Sequence, residues 1–322
     1  MLIAGDVGGT KTRIACYEKD PVPLREKVYV SDEFKHLEDI LEKFIAETGV
    51  TVERAVFGMP GPVLNGTVRV TNLPWTVNEV EMQTRLNIGE VRLLNDLEAT
   101  AYGIPFLPAH DLHVLNDVPV AADGNRVVIA PGTGLGEAIL FHHAGRYYAS
   151  PSEGGHASFA PRNLFELKLL RYLLGRFDHV SYERICSGIG VPHIYDYMRK
   201  SLHIRENPEV AKAIKEADDR TRIIFESALN NKSELCAETL KTFVSILGSE
   251  AGNMALKVLA RGGVYLGGGI PPKILPALMD GIFMNAFTDK GRFSEMLRQI
   301  PVYVILNEKT ALFGAACYAL GL

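Results

Sequence analysis

Near the start of the chain, Gly5-Asp6-Val7-Gly8-Gly9-Thr10 sets one carboxylate among glycines, between the apolar runs Leu2-Ile3-Ala4 and Ile14-Ala15-Cys16. Such a turn leaves backbone N–H groups uncovered by side chains, and these can cradle a phosphate. Asp6 would repel a polyphosphate unless a cation lies between them, so the phosphate reading brings Mg²⁺ with it. The competing reading is an ordinary hairpin whose glycines only supply positive φ. Val127 to Phe141 repeats the design, with Gly132, Thr133 and Gly134 between two apolar runs. Two matching hairpins suggest an internal duplication in which each half clamps the same polyphosphate. In a third stretch, Gly262 to Lys273, Gly267, Gly268 and Gly269 would let backbone approach a flat purine, or would make a tight packing turn.

Other polar residues lie among glycines as well. Glu153-Gly154-Gly155-His156 and Glu183-Arg184-Ile185-Cys186-Ser187-Gly188 offer two carboxylates and an imidazole, groups that exchange hydrogen bonds with a polyol. Taken singly, Glu183 reads as a helix-surface charge and His156 as a satisfied core group. Asn95-Asp96 follows the strand Glu90 to Leu94 and precedes the helix formers Leu97 to Tyr102, ending at Gly103. Ligands of open α/β sheets bind at that edge, although capping of the helix accounts for either residue.

The elements that would position these groups follow from periodicity. Leu37 to Ile45 has helical spacing and Val52 to Phe57 reads as a strand. Gly58 to Val63 and Thr71 to Trp75 are irregular, and Trp75 reads as the cap of a core edge. Pro105 and Pro108 mark a boundary before a strand at Leu112 to Leu115. Leu240, Phe243, Val244, Leu247, Ala251, Met254, Ala255 and Val258 share one face of a long helix, a buried stripe. Asn307 precedes a helix of small residues, Ala311, Gly314, Ala315, Ala316 and Ala319, suited to close packing.

At 322 residues the chain calls for two domains, and its 47% hydrophobic and 22% charged content is that of a folded globular protein. A net charge of −4 offers no basic surface for nucleic acid or anionic lipid, which points to a small-molecule partner. Four cysteines without CxxC spacing suggest neither a disulfide framework nor a zinc cluster. With no leader-like start and no apolar run of spanning length, the expectation is a soluble cytoplasmic protein, away from membranes.

Together DVGGTKTR at 6–13, LLNDLEATAYG at 93–103, APGTGLG at 130–136, EGGH at 153–156, ERICSG at 183–188 and GGVYLGGGIPPK at 262–273 resemble the bacterial glucokinases. Order and spacing agree over nearly the whole chain. The resemblance implies an α/β protein of two actin-like (ribonuclease H-like) domains with a cleft between them: a smaller domain of residues 1–108 plus 302–322 and a larger one of 109–301. It also implies a homodimer, with glucose and ATP as partners and Mg²⁺ as cofactor. Carried over residue by residue, Asp96 corresponds to the catalytic base, and Asn95, Asp96, Glu153, His156 and Glu183 to the glucose ligands. Gly5, Asp6, Val7, Gly8, Gly9 and Thr10 correspond to the first phosphate loop, Gly132, Thr133 and Gly134 to the second, and Gly267, Gly268 and Gly269 to the adenosine wall. Asp6 would hold Mg²⁺, directly or through water. The related repressor and sugar-kinase family has a cysteine-rich zinc motif after its EGGH-like segment; here Ala157-Ser158-Phe159-Ala160-Pro161-Arg162 follows, so that zinc is not expected.

The implied reaction is transfer of the ATP γ-phosphoryl group to the sugar 6-hydroxyl, where alignment and charge neutralisation do most of the catalysis. Closure around bound sugar would keep water from consuming ATP, with hinges near Pro105 to Pro108 and Ile300 to Pro301. Mannose or fructose remains an alternative substrate. A sugar-sensing regulator of the same fold would want a helix-turn-helix ahead of the first strand, where this sequence opens directly on Leu2-Ile3-Ala4. An actin-like filament protein has no use for EGGH or ERICSG, and a dehydrogenase would want a GxGxxG turn opening a helix.

Overall fold

The structure, a computed structural model, describes residues 1–201 and 204–322, and the chain divides into two units. One comprises Met1–Asp111, Ala138–Pro151 and Asn307–Leu322; the other comprises Leu112–Glu137 and Ser152–Leu306. The first crossing thus follows Asp111, beyond the expected residue 108. The return comes at Asn307 because the residues expected to begin it, Val302–Ile305, pair as a strand within the second unit.

The first unit is built on the strands β1 (Leu2–Val7), β2 (Lys11–Tyr17), β3 (Arg25–Val30) and β4 (Arg54–Met59), the small hairpin β5 (Thr67–Arg69) and β6 (Thr76–Asn78), and β7 (Glu90–Asn95). Its helices are α1 (Leu37–Thr48), α2 (Glu79–Leu86) and α3 (Asp96–Gly103). The five-stranded sheet has the order β3-β2-β1-β4-β7, antiparallel on the β3 side and parallel from β1 to β7. Gly5 and Asp6, expected in the turn, belong to the strand: Gly5 pairs with Phe57 and Asp6 with Gly58 on one side, while Asp6 faces Arg13 on the other. Pairing on both edges overrides the turn-like composition and carries β1 through Val7. Only Gly8 to Thr10 remain as the turn. Trp75 is buried as expected, its indole N–H donating to the Phe34 carbonyl at 3.2 Å.

Further strands are β8 (Leu112–Val114), β9 (Arg126–Pro131), β10 (Leu135–His143), β11 (Arg146–Ser152), β12 (Gly263–Leu266) and β13 (Val302–Ile305). They form a sheet of order β11-β10-β9-β12-β13-β8. Its first five places repeat the order of the other sheet, each with a glycine turn between the strand at its centre and the next in sequence. The helices are α4 (Leu164–Leu174), α5 (Val191–Ser201), α6 (Pro208–Glu216), α7 (Arg220–Leu229), α8 (Glu234–Val258) and the short α9 (Leu275–Leu278), α10 (Ile282–Thr288) and α11 (Ser294–Arg298). The stripe on α8 is core from Leu240 through Ala255.

Asn307 leads into α12 (Thr310–Leu320), which packs in the first unit against α3. The small residues permit this approach: a Cβ on Gly314 would collide with the Ala99 carbonyl oxygen of α3. Leu312, Ala315, Ala316 and Ala319 join Ala4, Val56, Leu94 and Ala99 in one apolar cluster, so α12 fixes the helix that begins at Asp96 onto its sheet.

Candidate active site

In the first unit the parallel strands β1, β4 and β7 present their carboxyl ends along one edge, the edge at which open α/β sheets bind ligands. Gly8 and Gly9 at the β1–β2 turn are held closely: a Cβ would lie 2.9 Å from the Lys11 carbonyl oxygen at Gly8 and 2.9 Å from the Asn72 Cβ at Gly9. Ser31 fixes the loop, its hydroxyl donating to the Gly8 carbonyl at 2.8 Å and its N–H to that of Thr10 at 3.0 Å. Gly5 instead faces the Phe57 ring and Val7 is buried, so these two shape the strand beneath the turn. Asp6 is largely buried, and burial pushes its carboxyl above the ordinary value while the Arg13 guanidinium pulls it down. A carboxylate so placed would gain from a divalent cation beside it.

At the end of β7 the roles of Asn95 and Asp96 separate. Asn95 is the cap of α3: its Oδ1 accepts from the N–H groups of Leu97 at 2.9 Å and Glu98 at 3.4 Å, and Glu98 Oε2 accepts the Asn95 N–H in return at 3.2 Å. Its Nδ2 donates to the Gly61 carbonyl at 3.2 Å. Those bonds leave Asn95 one amide hydrogen for a ligand. Asp96 is the first helical residue, its Oδ1 accepting the Leu97 N–H at 2.8 Å. Since Asn95 supplies the cap, capping does not explain why an acid follows it. The position at a helix N-terminus favours negative charge.

In the second unit the structure brings Glu183 beside two predicted residues about thirty positions earlier, Glu153 and His156. Glu153 Oε2 is 3.8 Å from His156 Nε2 across the short turn Gly154–His156, and His156 Nδ1 is 4.0 Å from Glu183 Oε1. Glu153 and His156 are exposed, so His156 is no core group. Glu183 is no helix-surface charge either: its side chain is 20% exposed, and its Oε2 accepts the Leu135 N–H at 3.0 Å. Gly134 is glycine for that reason, because a Cβ there would strike Glu183 Oε2. Of the second predicted phosphate loop, Gly134 thus makes room for a carboxylate within the protein.

Gly132 and Thr133 line a cavity of about 610 Å³ together with Gly188, Ile189, Pro192, Arg220, Gly269 and Lys273. Backbone bonds hold its walls together, from Gly188 N–H to the Gly132 carbonyl at 2.7 Å and from Ile189 N–H to that of Thr133 at 3.2 Å. A Cβ on Gly132 or Gly269 would meet no protein atom within 4 Å. Packing does not demand glycine at those two positions, whereas a ligand in the cavity would. Gly267 packs against Ala130, Val128 and Ile305, and Gly268 turns the chain at φ +78°, its Cβ direction blocked by the Pro131 carbonyl. Of the three glycines predicted for the adenosine wall, Gly267, Gly268 and Gly269, only Gly269 lines the cavity. Sequence reasoning missed Arg220 and did not assign Lys273, although the latter ends the quoted motif; Asp196 accepts from Arg220 Nη2 at 2.8 Å.

Comparison with known proteins adds a second line of observation. The family model described as Glucokinase matches residues 3–321. A glucokinase of Nostoc punctiforme is 38% identical over 336 aligned positions, covering 99% of this chain and 98% of that protein. A crystal structure of glucokinase from an Antarctic psychrotroph superposes with TM-score 0.87 at 29% identity, covering 100% of this chain and 99% of that one. A ROK family glucokinase from Streptomyces griseus, solved with glucose and AMPPNP, shares the fold at TM-score 0.64 and 20% identity, covering 98% and 97% of the two chains.

Proposed function

The chain belongs to the glucokinase family, with its two-domain actin-like α/β fold, and we propose that Asp96, Glu153, His156 and Glu183 carry its reaction. That reaction is transfer of a phosphoryl group from ATP to glucose, giving glucose 6-phosphate. Glu153, His156 and Glu183 hold sugar hydroxyls, and Asn95 adds its remaining amide hydrogen. Asp96 orients the 6-hydroxyl and accepts its proton as the bond to phosphorus forms. The Gly8 to Thr10 turn and the Gly132-Thr133 turn receive the phosphates on backbone N–H groups. The cavity beside Gly269 takes the adenosine, its wall carrying Asp218 and Asp219 as well as Lys273 and Arg220. Mg²⁺, when bound, would neutralise phosphate charge, and Asp6 is the residue to hold it, directly or through water.

The observation that carries this reading is the convergence of Glu153, His156 and Glu183 in one cluster whose glutamate is fixed by Leu135, the residue following the Gly132-Thr133-Gly134 turn. Groups of that kind, once covered by a bound sugar, reject one with a misplaced hydroxyl by being left unpaired. The test is a panel of hexoses with ATP and Mg²⁺, following nucleotide hydrolysis and sugar phosphate together. Glucose should give the highest kcat/KM. Comparable turnover of mannose or fructose would widen the substrate, and no phosphorylation of any hexose would overturn the assignment.

The same family reading makes the enzyme a cytoplasmic homodimer. Its four cysteines, Cys16, Cys186, Cys236 and Cys317, are free and buried, which suits a reducing compartment. No helix among the described residues is long and apolar enough to cross a membrane. Sedimentation of the purified protein measures the assembly directly.

A further inference from the structure

Glu137, on β10, has no part in the site as described, yet it is 2% exposed and its Oε1 has no hydrogen-bond partner. Glu250, on α8, is 0% exposed; its Oε2 accepts from the Asn253 amide at 2.9 Å, while its Oε1 lacks a hydrogen-bond partner and has the Lys257 ammonium 3.7 Å away. Its charge bears on Glu137. An ionised carboxylate taken out of water is costly, more so near a like charge, and a proton on Glu137 removes that cost.

The pair is tied to the sugar cluster from two directions. Leu135 and Glu137, alternate residues of one strand, point the same way. Leu135 holds Glu183 through its N–H, and its carbonyl fills the space where Gly155 would carry a side chain. Glu137 Oε2 fills the corresponding space at Gly154. From α8, the Asn253 amide donates to Glu250 Oε2 at 2.9 Å and to the hydroxyl of Tyr182 at 3.0 Å, and Tyr182 precedes Glu183.

We propose that Glu137 is a positioning residue for sugar binding: protonated, its buried carboxyl seats the Glu153 to His156 turn on β10 through the contact of its Oε2 with Gly154. This rests on Glu153, His156 and Glu183 being the sugar ligands. The groups facing the pair are Lys257 from α8 and Tyr182 and Cys186 from the segment that carries Glu183, while the turn itself brings only Gly154 and the Ser152 hydroxyl. Lys290 joins the network one bond further out, donating to Asn253 Oδ1 at 2.7 Å. Burial, and then the charge of Glu250, push the Glu137 carboxyl up to about 8, while Lys257 acts in the opposite sense. Burial raises the Tyr182 phenol and the Cys186 thiol as well, away from that window, and lowers Lys290. The Glu137 value lies above that of an unfolded glutamate, so its contribution is complete below the ordinary carboxylate range and is lost as pH rises through about 8.

The test compares wild type with Glu137→Gln in steady-state kinetics from about pH 7 to about pH 9, either side of the value of about 8. Wild-type KM for glucose should rise several-fold over that range, with kcat and KM for ATP changing much less. The glutamine, which is neutral at every pH, should hold the low KM and abolish the alkaline rise. Glu137→Leu, checked by thermal melting, should raise KM at every pH. A Gln variant that keeps the wild-type rise, or a wild-type KM that is flat, overturns the proposal. Glu153→Gln, measured alongside, separates the two layers: untouched glucose affinity there overturns the ligand reading and this proposal with it. Loss of affinity there, combined with a wild-type-like profile in Glu137→Gln, overturns this proposal alone.

Discussion

The two glycine turns occupy the same place in sheets of the same strand order, but their glycines answer to different neighbours. At the first, Gly8 and Gly9 are enclosed by the Lys11 carbonyl and Asn72, and Gly5 in the strand beneath them by Phe57, all parts of the protein itself. At the second, Gly132 faces open space and Gly134 makes room for Glu183. Acids differ in the same way. The first sheet edge carries Asp6 and Asp96, proposed to work on phosphate and a hydroxyl proton, while the second is joined to the cluster proposed to hold the sugar and to the cavity proposed for the adenosine. On that proposal the repeated strand order divides its labour, one sheet serving chemistry and the other grip.

That division can be broken most severely at Asp96. Asp96→Asn keeps the side-chain shape and removes the proton acceptor, so kcat should fall by about 10²–10⁴-fold, the usual worth of general-base catalysis. Glucose affinity should change modestly and ATP affinity hardly at all. Near-normal turnover would return Asp96 to the rank of a helix-terminal residue, since Asn caps about as well as Asp. On the other side, Glu183→Gln should cost glucose affinity about 1.5–3 kcal/mol, the scale of a hydrogen bond to a charged group, with kcat less affected. Calorimetric titration with glucose reads this without turnover. An unchanged affinity would remove Glu183 from the sugar site.

The glycines sharpen the contrast at smaller cost. Gly5→Ala drives a methyl into the Phe57 ring and Ile14, and such overpacking destabilises by about 1–3 kcal/mol. Gly132→Ala meets no protein atom, so stability should stay within about 0.5 kcal/mol of wild type while KM for ATP rises. Denaturant melts and ATP titrations on the pair decide the matter. Equal stability losses would mean that both turns are packing devices.

The sequence made the motif-bearing residues visible because phosphate and polyol chemistry need glycines and carboxylates close together in the chain. Asp96, Glu153, His156 and Glu183 could all be singled out on that basis, and their family resemblance grouped them. The extent of β1 was not legible. Gly5 and Asp6 have turn composition, and only pairing with β4 and β2 keeps them extended. Val302–Ile305 was assigned to the wrong unit for the same reason, since strand partnership is a property of the sheet. Arg220 carries no local signal, because a single basic residue at the start of a helix is ordinary. Glu137 was hidden within its strand: its burial becomes informative only once Glu250, more than a hundred positions away, lies beside it.

The packing of α12 on α3 also bears on the order of events during synthesis. The helix that starts at Asp96 rests on Gly314 and its neighbours, so its own brace is encoded roughly 200 positions later, a delay of about ten to forty seconds at usual translation rates. Until then the nascent first unit has its sheet and Asp96 but lacks the apolar cover of α3. A chain stalled before Asn307 should therefore expose the Ala99 to Gly103 face to chaperones, and a premature stop there would silence the enzyme with every residue assigned to its chemistry already translated.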